Sequence, residues 1–209
     1  MKTLMLNLHS KNNKNVFLLT TKNHAEYAAT HEYDMLNIDA PYHPNLDVQR
    51  IAGLLREWDR IIMLGSDIVF TNTSIDATTL AKPDVPLTMG PDPSMRFPVN
   101  GDFYIFQRTT RTDELLEKLD RWQKDKPNGF GCQGALCEML KQGELTGLLD
   151  VLPSRTLQSF PQHDDLLPPV REGCFWQPGD LCIHFVGGSN WKKCIDILTF
   201  MELKIIYNP

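Results

Sequence analysis

Asp67 and His184 are the side chains whose types and settings point most directly to chemistry. Asp67 follows the apolar run Ile61–Leu64 and the small pair Gly65-Ser66, so its carboxylate is expected at the exit of a buried strand, with open approach. A carboxylate so placed can hold a metal, or a metal already carrying a phosphate; the plainer alternative is that it only starts a turn. His184 lies in the run from Gly179 and Asp180 through Cys182 to Gly187-Gly188-Ser189. Residues two apart on a strand share a face, so Asp180, Cys182 and His184 point one way. Backbone amides at Gly187-Gly188 can approach a diphosphate, with Lys192 and Lys193 as countercharge. A core-facing histidine ahead of a glycine turn is the alternative. Taken together, one carboxylate and one imidazole leave room for diphosphate oxygens and water around an octahedral Mn²⁺ or Mg²⁺, and the imidazole favours Mn²⁺.

A third group is Asn100-Gly101-Asp102-Phe103 with the later Gln133. Asn, Asp and Gln side chains hydrogen-bond sugar hydroxyls in pairs, although Asn100-Gly101 is also an ordinary turn signal. His163, Asp164 and Asp165 read as a solvated loop. There is no Walker loop, no G-x-G-x-x-G fingerprint, no zinc-protease pattern and no Ser-His-Asp spacing.

The elements that must carry these groups follow from periodicity. Strands are expected at Thr3–Leu8, Asn15–Thr21, Met35–Asp39, Ile61–Leu64, Ile68–Phe70, Asp102–Phe106, Leu145–Leu152 and Asp180–Val186. The unbroken apolar run Val16–Leu19 suits a strand buried on both faces. Helices are expected at His24–His31 behind an Asn23 cap, and at Val48–Trp58 behind Asp47. Three more follow: one opened by Thr110 and Asp113, then Gln133–Lys141 and Lys192–Leu203. Lys82–Asn100, with five prolines, is expected to be an irregular loop. The alternation implies an α/β domain with a mixed sheet, and ligands bind beyond the carboxyl ends of such strands. The informative exits are therefore Thr20–Asn23, Gly65–Asp67 and His184–Asn190.

The 209 residues suffice for one sizeable α/β domain. A net charge of −5 argues against nucleic-acid affinity through bulk charge. The apolar start is too short for a signal peptide, and no run reaches the ~18 apolar residues of a membrane span. Five cysteines without zinc spacing read as free thiols of a reducing, cytoplasmic setting.

In order along the chain, these pieces resemble a family. Tyr27–Asp34, Trp58–Asn72, Asn100–Phe103, Gly131–Leu136, Leu157–Phe160 and Gly179–Gly187 are similar to successive segments of GT-A glycosyltransferases that use nucleotide sugars. The likeness is to the retaining galactosyl-, xylosyl- and mannosyltransferases, related to the glycogenin-like family, and it runs from about Val16 to Lys193.

The resemblance implies one catalytic domain over 1–209, Rossmann-like, with a mixed central sheet. It implies Mn²⁺ or Mg²⁺ held by Asp67 and His184, and a nucleotide-sugar donor, taken as a UDP-sugar. Thr20, Thr21, Ser66, Asp67, Gly187, Lys192 and Lys193 would hold that donor. Asn100, Asp102 and Gln133 would contact the sugars, with Gln133 and Asp102 catalytic. An acceptor glycan or glycoconjugate follows, and less readily a hydroxylated viral DNA base, for which Arg108, Arg111, Lys118, Arg121, Lys124 and Lys126 are the basic candidates. Acidic residues interleave with that basic set, so a solvated helix face is the simpler account.

Three features depart from the family: Gly65 replaces the first aspartate of its DxD motif, Cys132 replaces the aspartate before Gln133, and a Golgi anchor is absent. The first two also motivate an alternative, a non-catalytic carbohydrate- or nucleotide-sugar-binding protein on the same fold.

Overall fold

The computed structural model describes residues 1–10, 14–40, 48–125, 131–162, 169–186 and 190–207. Asp47, His163, Asp164, Asp165, Gly187, Gly188 and the side chain of Cys132 lie outside the described residues.

The elements run in the order β1 (Thr3–Ser10), α1 (Lys14–Thr30), β2 (Asp34–Ala40), α2 (Val48–Leu54), β3 (Arg60–Gly65), β4 (Ile68–Phe70), β5 (Leu87–Met89), β6 (Phe103–Gln107), α3 (Thr112–Asp125), α4 (Gly131–Lys141), β7 (Leu149–Val151), β8 (Cys182–His184) and α5 (Asn190–Tyr207). Six strands form one sheet in the order β2-β1-β3-β6-β5-β7. β1 lies parallel to β2 and β3, β6 is antiparallel to both β3 and β5, and β7 is parallel to β5. The sheet is therefore mixed, as the alternating pattern predicts.

Period-two alternation sorts the core onto two faces. Leu6, Ile61, Met63, Tyr104 and Phe106 pack with Val48 and Ile51 of α2, Leu115 and Leu119 of α3, and Leu136 of α4. Their neighbours Met5, Ile62, Leu64, Phe103 and Ile105 face the opposite way, onto Tyr27 and Ala28 of α1 and Phe70 of β4. The Tyr27 and Phe70 rings stack at 3.6 Å between centroids. Full burial of each such side chain is worth about 1.5–3 kcal/mol, so both faces must be covered.

The segment Asn15–Thr21 is helix, where a strand is expected. Val16, Thr20, His24, Tyr27 and Ala28 are the buried positions of α1, at spacings of three and four, while Leu18 is left exposed. The apolar run is thus one turn of a helix whose buried face continues through polar residues. Asn23 accordingly sits inside α1 and caps nothing. Its amide donates to the Phe70 carbonyl and its oxygen accepts the Phe70 N–H, at 3.0 and 2.8 Å, fastening α1 to β4.

Other differences are local. The proline-rich stretch contains β5, because Pro86 precedes the first strand residue, where a missing N–H costs no ladder bond. Before α3 the turn is closed by Thr109 and Thr112, not Thr110: the Thr109 N–H donates to the Thr112 hydroxyl at 2.7 Å. β7 and β8 are shorter than expected, and α2 stops at Leu54, with Trp58 beyond it donating to Asp34 at 2.7 Å.

The decisive departure from a single sheet is β8. It pairs antiparallel with β4 in a separate two-stranded sheet, bringing His184 opposite Ile68. Val16, Val69, Ile183, Phe185 and Ile197 pack this pair between α1 and α5. Arg155 grips both carboxylate oxygens of Asp180 just before β8. Ser159 accepts the His184 N–H at 2.8 Å and donates its hydroxyl to the Cys182 carbonyl at 2.6 Å.

Candidate active site

β1 and β3 run parallel, with Leu8 opposite Gly65, so their carboxyl ends open on one edge. There β3 ends, Ser66 and Asp67 turn, and β4 begins. The turn is pinned from two sides. Thr20 donates its hydroxyl to the Ser66 carbonyl at 2.7 Å, and the Phe185 N–H donates to the Asp67 carbonyl at 2.9 Å.

The structure corrects the expected setting of Thr20 and Thr21. Thr20 and Thr21 lie within α1 and not at a strand exit, and the Thr20 hydroxyl is engaged inside the protein. The exit beside Gly65 is instead the end of β1, where the His9 ring stacks on Phe17 at 4.0 Å. Misreading the Val16 run as a strand concealed it.

His184 is fully buried, 0% exposed. Its Nδ1 faces Gln158 Oε1 at 3.2 Å, and an amide oxygen only accepts, so Nδ1 carries hydrogen. Nε2 then faces 3.4 Å to Asp67 Oδ1 and 3.5 Å to Asp102 Oδ2, without an aligned hydrogen bond. From the other side, Lys193 of α5 places its ammonium on Asp67 Oδ2. The expected pair Asp67 and His184 is thus brought together. Of the two expected lysines, Lys193 reaches the site, while Lys192 pairs along α5 with Asp196 at 3.6 Å.

Electrostatics separates the two carboxylates. Burial alone would raise the Asp67 carboxyl, but the neighbouring His184 and Lys193 charges outweigh it and hold Asp67 well below the usual carboxylate range. Asp102 goes the other way. Burial raises it first, the Asp67 and Asp92 charges add to this, and His184 offsets only part. Its side chain still keeps 38% of its surface open. For His184, burial lowers the imidazole, yet the Asp67 and Asp102 charges win and raise it.

A second cluster lies alongside. Asp92 is buried; it accepts from Asn100 at 3.2 Å and Gln133 at 3.1 Å through Oδ2, and from the Ser94 N–H at 2.9 Å through Oδ1. Gln133 Oε1 accepts the Gly101 N–H at 3.1 Å, and Asn100 Oδ1 accepts the Asp102 N–H at 3.1 Å. Asn100, Asp102 and Gln133 are therefore linked, with Gln133 bonded at both ends of its amide. A Cβ on Gly101 would stand 2.7 Å from Gln133 Cβ, so glycine is what lets α4 approach. Sequence reasoning missed Asp92, which sits between Pro91 and Pro93 in the presumed loop, and Gln158, which sets the tautomer of His184.

The donor set of carboxylate oxygens and one imidazole suits a divalent cation such as Mn²⁺, and a buried Nε2 without a hydrogen bond faces those oxygens. Among the described residues, no group of three or more His, Cys, Asp or Glu side chains is placed so that it could hold a metal ion as the structure stands.

No protein-family model matches the sequence, and no curated protein sequence matches it. Solved structures do match the fold. A glycosyltransferase involved in glycosylating the major capsid of PBCV-1 superposes with a TM-score of 0.69 at 15% identity, over 95% of this chain and 100% of that one. The galactosyltransferase LgtC, in complex with donor and acceptor sugar analogues, gives 0.59 at 14%, over 96% and 95%. The glycosyltransferase GlyE of Streptococcus pneumoniae TIGR4 gives 0.59 at 13%, over 95% of this chain and 63% of that one. The chain has the GT-A glycosyltransferase fold, with the mixed central sheet expected of it. Among the described residues, no helix is long and apolar enough to cross a membrane.

Proposed function

We propose that the chain is a metal-dependent retaining glycosyltransferase, moving a sugar from a UDP-sugar to an acceptor hydroxyl, with Asp67 and His184 holding Mn²⁺ or Mg²⁺. The observation that carries this reading is the buried His184 Nε2, without a hydrogen bond, facing the Asp67 carboxylate at the exit of β3 in a GT-A fold. When bound, the cation supplies charge neutralisation for the leaving diphosphate.

The chain's own residues do the rest. Lys193, already against Asp67, lies where it can share the diphosphate charge. Gln158 fixes the hydrogen on His184 Nδ1 and keeps Nε2 directed at the site. Asp92 holds the Gln133 and Asn100 amides, which present polar atoms to the transferred sugar. Gln133 Oε1 has a lone pair beyond the one taken by Gly101, and this faces the positive charge that develops on the sugar as the bond breaks. The acceptor hydroxyl attacks on the face from which the phosphate departs, and the departing oxygen takes its proton.

A glycan or glycoconjugate is the acceptor that fits. Three of the six basic residues that motivated modified DNA are paired, Arg108 with Asp59 and Arg111 and Lys118 with Glu114, while Lys126 and the side chain of Lys124 lie outside the described residues. Cys137, Cys174, Cys182 and Cys194 are free thiols, which supports a reducing cytoplasm.

The test is mass spectrometry of products after incubation with a panel of nucleotide sugars and Mn²⁺. Cleavage of one donor, abolished in His184→Ala, is expected. Carbohydrate binding by calorimetry without any turnover would favour the non-catalytic binder, and neither carbohydrate nor nucleotide sugar bound or cleaved would end both readings.

A further inference from the structure

Gly65 and Asp102 occupy each other's space. Their backbones are joined, the Gly65 N–H donating to the Asp102 carbonyl at 2.8 Å across the β3–β6 edge. A Cβ on Gly65 would lie 3.1 Å from Asp67 Oδ1, 3.3 Å from Asp102 Oδ1 and 3.4 Å from Asp102 Cβ. The volume into which a side chain at position 65 would project is therefore bounded by the Asp67 carboxylate and by Asp102 in the turn before β6. The backbone of Gly65 is not in the left-handed region, so conformational need does not account for a glycine there.

Asp102 also meets the imidazole on equal terms with Asp67. Nε2 of His184 stands 3.4 Å from one carboxylate and 3.5 Å from the other, is completely buried, and makes no hydrogen bond to either. Neighbouring donor atoms around an octahedral cation with bonds of about 2.1 Å are roughly 3 Å apart. The imidazole stands close to that separation from each carboxylate. The three are not gathered as a metal site in this structure, where Lys193 holds Asp67 Oδ2.

We infer that Asp102 is the third protein ligand of the cation, a carboxylate supplied from the turn before β6 in the space left by the glycine at position 65. The inference rests on the proposed metal-dependent function, and it changes the part expected of Asp102 from sugar contact to coordination. Asp102 is the most open of the three side chains.

The experiment reads metal binding, not turnover. The purified full chain is titrated with Mn²⁺, with and without UDP, and free Mn²⁺ is followed by electron paramagnetic resonance; circular dichroism checks each variant's fold. The wild type is expected to bind one Mn²⁺. Asp102→Asn is expected to bind with at least the roughly tenfold weakening that loss of even an outer-shell partner brings. Asp102→Ser serves the same purpose if the amide disturbs the fold. The double variant Gly65→Asp/Asp102→Gly is expected to regain the affinity that Asp102→Gly loses, because the carboxylate returns to the same volume from the other strand. Wild-type affinity in Asp102→Asn, or a loss that the double variant does not recover, overturns the inference and leaves the Asp67–His184 reading standing. A wild type that takes up no Mn²⁺ in either condition overturns both.

Discussion

Gln133 on α4 donates its amide hydrogen to Asp92 at 3.1 Å while its oxygen accepts the Gly101 N–H at 3.1 Å, so one side chain latches a helix to both ends of the segment that carries Asn100. Burial raises the Asp92 carboxyl, and the bonds from Asn100, Ser94 and Gln133 counter that rise. Asp92→Asn keeps the shape and removes the charge. Hydrogen bonds to a charged group contribute about 1.5–3 kcal/mol, so turnover is expected to fall about 10- to 100-fold. The Mn²⁺ affinity should stay near wild type. Steady-state kinetics and a metal titration on the same preparation check both halves.

Gly101→Ala tests the latch sterically. With a methyl 2.7 Å from Gln133 Cβ and 2.9 Å from the Tyr104 hydroxyl, α4 must move. Overpacking of this kind costs about 1–3 kcal/mol, and the Gln133–Gly101 bond should lengthen with it. Thermal melts are expected to show a lower midpoint, and the donor-cleavage rate is expected to drop in parallel.

Lys193→Met separates two electrostatic tasks. With the ammonium gone, Asp67 faces a metal without a competing cation, so Mn²⁺ alone should bind more tightly. UDP in the presence of Mn²⁺ should bind more weakly, because a positive charge facing the diphosphate is lost. Calorimetry in both formats gives opposite signs; the same sign in both would remove Lys193 from the diphosphate site.

Tyr27→Phe probes how the segment after β4 is held. The hydroxyl donates to the Ile75 carbonyl at 2.8 Å and accepts the Ala77 N–H at 2.9 Å, in a fully buried setting. Removing it strands two backbone groups, at a cost of about 1–3 kcal/mol. At roughly 2–4 °C per kcal/mol for a chain of this size, the melting point should fall by several degrees.

His24 predicts a pH dependence of stability. Burial pushes its imidazole down to about 4, opposed in part by the bond to Ile68 and the Asp67 charge. The unfolded chain, with an ordinary histidine near 6.5, then binds a proton that the folded chain refuses. Stability from this group is fully present above about 6.5 and is lost as pH falls toward 4, by up to about 3 kcal/mol. Denaturant melts of wild type and His24→Gln between these limits should converge as pH falls.

Ile61–Leu64 was readable as a strand because every residue in it is apolar and small residues end it. The same reasoning failed at Val16–Leu19, where four apolar residues in a row fit a buried strand or one helical turn equally well. Asp67 and His184 could be paired from strand exits and resemblance, and the structure joins them. Asp92, Gln158 and the antiparallel seat of β8 could not be read, because each depends on which segment lies beside which. No local pattern encodes the contact of Gln158 with His184, made 26 positions apart in a loop.

The seat of β8 against β4 also sets a time order. Asp67 and Lys193 are separated by 126 positions, and His184 reaches Asp67 only once nearly the whole chain has been threaded into place. Closing so long a loop is entropically expensive and slow, and synthesis delivers α5 last. The N-terminal sheet can form around β1, β2 and β3 before the proposed cation ligands have met. Uptake of Mn²⁺ during refolding should therefore trail recovery of helix and sheet signal, making the metal a reporter of the final docking event instead of a nucleus for folding.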